Sequence, residues 1–349
     1  MPLSIHPGET DLLIPPPEPG EQLDPYTVHT HYFGFCVPEA GIGAYLYARY
    51  MPAFGLSQGG PTIFRGMDNV SLLDAEYHDY RATMPWPEID GNRIRMANGY
   101  EIEFEEPGER VRLRYESPDG EVSFALEQRA VTPLIARGHI VPGEEDHHEG
   151  RETGGTEQML HCTGELKLHG ETFDVDCHPI RDRSWNQVRR EDPGGAKESP
   201  PVGWTPMYFS EDLAVNATSF EAPDTDPAWA GLYEVPEGAP TSYWDWVVRD
   251  GKVLDVTDVR RDVHEYHPVL NSAIRQALEI TDETGKTHRF EGEALSVSPI
   301  FSWPNIAFTD SVHRWEDESG RVTHCSYQEV WWDRYQHGMK GRKVGSATA

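Results

Sequence analysis

The sequence predicts a mostly β protein, built from antiparallel strands in two halves that each suit a barrel. Three observations carry that prediction. Glycine-centred turn signals recur along the chain, the segments between them alternate apolar with polar residues, and long helical spacings are scarce.

The elements follow in order. Residues 1–25 are rich in Pro and Glu, with the run Pro15-Pro16-Pro17, and read as an extended arm. From Tyr26 onward the loops around Gly91, Gly120, Gly170, Gly251, Gly285 and Gly320 look like hairpin turns, where Gly supplies the positive φ a tight turn needs. Val111, Leu113 and Tyr115 alternate before one turn, and Val122, Phe124 and Leu126 alternate after it. Leu166 and Leu168 lead similarly to Phe173, Val175 and Cys177. In the second half Trp244, Trp246 and Val248 precede Asp250-Gly251, and Leu278 and Ile280 precede a turn to His288 and Phe290. Leu56-Ser-Gln-Gly-Gly-Pro61 reads as a loop, while Ser71–Arg81 and Pro268–Ala277 have room for a helical turn or two.

Residues 188–202 combine charge, Gly-Gly and Pro-Pro, and read as a linker or long loop. They separate an N-terminal domain, 26–187, from a C-terminal domain, 203–340, with a tail at 341–349. Closure of each sheet into a barrel would remove exposed strand edges.

Composition narrows the function. Across 349 residues, 59 Asp+Glu outweigh 30 Lys+Arg, for a net charge of −29. Nucleic acid and anionic membrane surface both reward basic patches and are therefore excluded as partners. The 10 Trp and 15 Tyr argue equally against a disordered acidic chain. The four cysteines lack a C-x-x-C pair and read as buried thiols of a reducing cytoplasm. The N-terminus lacks signal-peptide features, and no apolar run approaches the ~20 residues of a membrane span.

Chemistry concentrates in Cys177-His-Pro-Ile-Arg-Asp-Arg-Ser-Trp185. On a continuous strand, Arg181, Arg183 and Trp185 share one face with Cys177, whereas His178, Asp182 and Ser184 share the other. Buried Arg and Asp can satisfy one another as an ion-pair clamp. Equally, an interior Asp or His with a displaced pKa can serve as acid or base. Both readings stand at this point.

The Ile-Arg-Asp-Arg-Ser-Trp segment at mid-chain, with Trp303-Pro304, Trp315–Arg321 and Tyr327-Gln-Glu-Val-Trp-Trp332 in the second half, resembles the tandem lipocalin-like proteins related to carotenoid 1,2-hydratase (the AttH/CrtC-like family). Asn186 stands where Gly usually follows the Trp. The resemblance covers roughly residues 27–335 and implies two packed lipocalin-like barrels around an apolar cavity. It also implies a cofactor-independent hydratase, dehydratase or isomerase acting on a C=C bond of a terpenoid, steroid or aromatic molecule.

Such chemistry needs a positioned proton donor and aromatic faces beside the developing cation. Candidate acids are Asp182, Asp245 and Glu329, with His178 as base or water-orienting group. Candidate binding residues are Arg181, Arg183, Trp185, Trp244, Trp246, Tyr327 and Trp331, although large aromatics on strands also serve as core. No cofactor is expected: Gly41-Ile-Gly43 lacks a dinucleotide fingerprint's third Gly. No metal is expected either; Asp146-His147-His148-Glu149 reads as a solvated loop, and the His29/His31 and His264/His267 pairs lack an assignable third ligand. No G-x-S-x-G elbow occurs. The expected partner is a hydrophobic small molecule, with a homodimer left open. The competing reading is a non-catalytic carrier of apolar ligands.

Overall fold

A computed structural model of the chain describes residues 8–12, 14, 20, 22–136, 154–189, 201–224, 227–232, 240–302, 306–332 and 335–339. Most of the expected arm and linker, the Asp146–Glu149 loop, Trp303-Pro304 and the 341–349 tail lie outside them. The chain divides into two units, Met1–Gly66 with Leu73–Ile140 and Glu144–Arg190, and Met67–Leu72 with Val141–Gly143 and Glu191–Ala349.

The first unit contains β1 (Thr27–Val37), β2 (Ile42–Met51), β3 (Leu56–Arg65), β4 (Tyr77–His78), β5 (Arg81–Pro85), β6 (Glu88–Asp90), β7 (Arg93–Arg95) and β8 (Glu101–Glu106). It continues with β9 (Arg110–Glu116), β10 (Val122–Ala130), β11 (Ile135–Ala136), β12 (Gly154–Leu168), β13 (Glu171–Cys177) and β14 (Ile180–Val188). The second contains β15 (Val202–Ser210), β16 (Leu213–Phe220), β17 (Ser242–Arg249), β18 (Lys252–Tyr266), β19 (Ala273–Asp282), β20 (Thr287–Ile300), β21 (Ile306–Asp317) and β22 (Val322–Trp332).

The glycine turns form hairpins. His169-Gly170 and Asp250-Gly251 have positive φ at both residues, the two-residue turn whose twist matches that of paired strands. Asn186 takes φ 51°, the left-handed conformation that Gly adopts most readily and Asn tolerates better than most residues.

The second unit is a closed eight-stranded barrel, because β15 pairs with β22. Val215, Val247, Leu278, Ile280, Phe290 and Trp315 fill its interior. Fully burying each aliphatic or Phe side chain contributes roughly 1.5–3 kcal/mol.

The first unit departs from the expected second barrel. Among the described residues its sheet is open and curled, in the order β4-β3-β2-β1-β14-β12-β10-β9-β8-β7-β6. Its terminal strands are only two and three residues long. Near one end, Pro61 of β3 has no N–H to extend the ladder.

Two local expectations change. Leu56–Pro61 is strand, not loop: a Cβ at Gly59 would lie 2.1 Å from the Tyr47 carbonyl oxygen, so glycine serves close strand contact here. Residues 268–272 turn between β18 and β19 without a helix, with Asn271 at φ 57°. Within Ser71–Arg81, Leu72–Asp74 is a single 3-10 turn. No helix among the described residues is long and apolar enough to cross a membrane.

Candidate functional site

Tyr327 and Glu329 are two residues apart on β22 and therefore point the same way, into the barrel. Arg261 of β18 meets them there: its Nη2 donates to Glu329 Oε1 at 2.9 Å and to the Tyr327 hydroxyl. Glu329 Oε2 accepts from the Tyr327 hydroxyl at 2.8 Å and the Ala273 amide at 2.7 Å, while Arg261 Nε donates to Gln276 at 2.9 Å. Burial opposes the Arg261 charge, but Glu329, Tyr327 and Glu221 outweigh it and raise its pKa. With Arg261, Tyr327 and the Ala273 amide on its two oxygens, the Glu329 carboxyl is tied into the barrel interior.

His313 packs 4.5 Å from the Tyr327 ring and 5.5 Å from Trp315. Burial, aided by Arg261, lowers its pKa to about 3. Trp331 belongs to a separate packing cluster with Trp229, Tyr335 and Met339.

In the first unit Arg181, Arg183 and Trp185 do share a face, and the same pairing with β12 continues on both sides of His178-Pro179. Arg181 Nη1 donates to Asp11 Oδ2 at 3.0 Å, and neither side chain is more than 4% exposed. Asp11 also accepts from the Gly108 amide at 2.7 Å. The N-terminal segment thus supplies a buried counter-charge, and the ion-pair reading fits Arg181. Arg183 stacks over Trp185 and donates to the Thr30 carbonyl at 3.2 Å; burial lowers its pKa to about 10. Burial and Arg183 together push His29 down to about 3.

Asp182 lies on the opposite face, across from Tyr32 and Glu157. Tyr32, Tyr45 and Tyr47 form a ring cluster on that face, with centroids 5.2 and 5.4 Å apart. His178 stacks on His161 at 4.8 Å, and its pKa is lowered first by burial and then by His161.

Asp245 occupies a different setting. Asn216 pairs with Trp246 but Thr218 pairs with Tyr243, so Trp244 and Asp245 together oppose only Ala217. This is a β-bulge, a feature common beside active sites, and Trp244 has a left-handed φ of 58°. Asp245 Oδ1 accepts from the Thr218 amide at 3.0 Å, and Oδ2 from the Ser242 hydroxyl. Burial raises the carboxyl from 3.8 to about 7 against those two bonds. Tyr243 lies edge-on to Trp244 at 5.1 Å and to Phe220 at 5.5 Å. The bulge thus sets a carboxyl that carries its proton near neutrality next in the chain to Trp244, whose ring meets Tyr243, which in turn meets Phe220.

From the bulge a row of residues crosses the barrel's outward face. Tyr243, Thr218, Trp204, Gln328, Asp310 and Ser298 are successive cross-strand partners on β17, β16, β15, β22, β21 and β20. Asp310 is 1% exposed, and burial raises its pKa well above the usual range against hydrogen bonds from Gln328 and the Ser311 amide. Sequence reasoning missed Asp310, because Phe308-Thr-Asp-Ser311 contains no motif. The sequence candidates are therefore distributed: Glu329 and Tyr327 inside the barrel, Asp245 with Trp244 at its bulge, Trp331 in a packing cluster, and the Arg181–Trp185 group in the other unit. Among the described residues, no three His, Cys, Asp or Glu side chains converge to hold a metal.

A family model described as a domain of unknown function, DUF7064, matches residues 16–332. The chain belongs to this family. No curated protein matches it. The DUF7064 chain is similar to the solved structure of kievitone hydratase from Nectria haematococca, at 14% identity, 95% coverage of this chain and 94% of that one, with a TM-score of 0.48. It is also similar to CghA, at 11% identity and 89% coverage of each chain, with a TM-score of 0.54. The likeness to CghA establishes a shared fold. A hydratase stands among the structural neighbours, but none of these findings reaches carotenoid 1,2-hydratase itself.

Proposed function

We propose that this DUF7064 protein is a cofactor-independent hydro-lyase that adds water to, or removes it from, a C=C bond of a hydrophobic small molecule. The observation that carries the reading is Asp245: a carboxyl raised to about 7 and held at a bulge that also carries the packed rings of Tyr243 and Trp244.

In the hydration direction, Asp245 transfers its proton to the less substituted alkene carbon. The cation that forms faces the aromatic rings, whose electron-rich faces stabilise positive charge. Water then bonds to the cationic carbon, and the proton it sheds returns to the Asp245 carboxylate. The Thr218 amide and Ser242 hydroxyl hold that carboxylate in place between steps. Loss of a proton from the cation instead of water attack would give isomerisation.

The test is incubation of the purified protein with isoprenoid and prenylated phenolic alkenes in ¹⁸O-water, followed by mass spectrometry. Labelled alcohol from the wild type, reduced about 100-fold or more in Asp245→Asn, supports the reading. Undiminished turnover in Asp245→Asn rejects Asp245 as the acid. Ligand bound and recovered unchanged throughout favours the carrier.

A further inference from the structure

Two turns of one pattern meet at an end of the closed barrel. Asp282-Glu-Thr-Gly-Lys286 joins β19 to β20, and Asp317-Glu-Ser-Gly-Arg321 joins β21 to β22. In each, Oδ1 of the Asp accepts from the hydroxyl two residues on and from the amide four residues on. The two basic residues then differ. Arg321 closes on its own Asp317 at 2.7 Å. Asp282 Oδ2 is already taken by Arg249 and by His288 Nε2, the latter at 3.1 Å. Lys286 is exposed and has no ion pair among the described residues.

Residues of both turns line a cavity of about 160 Å³, and none of the residues at the Asp245 bulge does. Leu213 and Phe290 of the barrel core supply its apolar wall, with His288 beside them. The His288 and Phe290 rings lie 8° from parallel, which suits a flat ligand. The volume accommodates one six-membered ring, since an apolar cavity of about 150 Å³ takes up benzene. Hydrogen bonds from Thr284, His288 and the Lys286 amide outweigh burial and lower the Asp282 pKa to about 2, so His288 Nε2 is the donor of their pair. Burial lowers the His288 pKa in spite of that bond, and the neutral ring keeps Nδ1 as an acceptor. Nδ1 has no hydrogen bond of its own among the described residues. The other cations of the lining are engaged: Arg289 bonds Glu279 at 2.7 Å and feels Glu318, while Arg321 holds Asp317.

We infer that this cavity binds the anion of a single-ring hydroxy acid, its carboxylate on Lys286, its hydroxyl donating to His288 Nδ1 and its ring against Leu213 and Phe290. Each part of the ligand answers one part of the lining. A carboxylate without the hydroxyl leaves Nδ1 unmet, and a phenol without the carboxylate leaves the ammonium unmet. The site is separate from Asp245 and stands whether or not the protein is a hydratase.

The test titrates the full chain by calorimetry with 2-, 3- and 4-hydroxybenzoate, benzoate and phenol. The isomer whose spacing matches Lys286 and His288 should bind about ten-fold more tightly than either benzoate or phenol. Lys286→Met should weaken that isomer about three-fold and leave phenol unchanged. His288→Phe keeps a ring but loses the acceptor, and should bring the isomer within about three-fold of benzoate. Lys286 is exposed, so its variant decides the matter should His288→Phe fail to fold. Binding of no isomer, no isomer better than both benzoate and phenol, or undiminished affinity in Lys286→Met each overturns the inference.

Discussion

Arg261 and Glu329 lie 2.9 Å apart inside the barrel, 0% and 1% exposed, and 68 residues apart in the chain. Each is the reason the other can be buried. An uncompensated charge at that depth costs several kcal/mol, so the pair is far more sensitive to loss of one partner than to loss of both.

Replacing Glu329 by Leu leaves Arg261 buried without its counter-charge and should destabilise the protein by about 3–5 kcal/mol. The double variant Arg261→Met, Glu329→Leu should recover most of that loss. Urea unfolding of the two single variants and the double variant forms the measurement. Additive losses would show that the pair is not coupled.

Asp245 links acid strength to stability. Its pKa rises from 3.8 in the unfolded chain to about 7 in the folded one. Between those values the folded state holds a proton that the unfolded state has released, so stability falls as pH rises through the window. Asp245→Asn removes that dependence. The variant should resist urea better than the wild type at pH about 8, with the advantage shrinking toward pH about 4. The same proton makes Asp245-dependent turnover decline above pH about 7, which a pH–rate profile would reveal.

His29 and His313 act with the opposite slope. Each has a folded-state pKa of about 3 against an ordinary 6.5. Above pH about 6.5 neither contributes. Below it the unfolded chain takes up protons that the folded chain refuses, and each site costs about 1.4 kcal/mol per pH unit. His313→Gln should therefore lose about 2 kcal/mol less stability than the wild type between pH about 7.5 and about 5. Equal losses in the two proteins would remove His313 from the acid response.

The alternation of Val111, Leu113 and Tyr115 and the Asp250-Gly251 turn were legible because both signals are local: side chains alternate along any strand, and positive φ favours Gly. The common face of Arg181, Arg183 and Trp185 was legible for the same reason. Asp11 was not, since it meets Arg181 across 170 residues of chain. Asp310 was missed because a Thr-Asp-Ser segment resembles any wet strand face until register places it beside Gln328.

The sequence by itself determined the β class, the hairpins and the carboxylates available for chemistry. Tertiary structure decided that one sheet closes and the other remains open, that Glu329 is tied to Arg261, and that Asp245 sits in a bulge with a raised pKa. The division has one physical cause. Periodicity and turn conformation depend on neighbours in the chain, whereas pairing register, burial and pKa depend on neighbours in space.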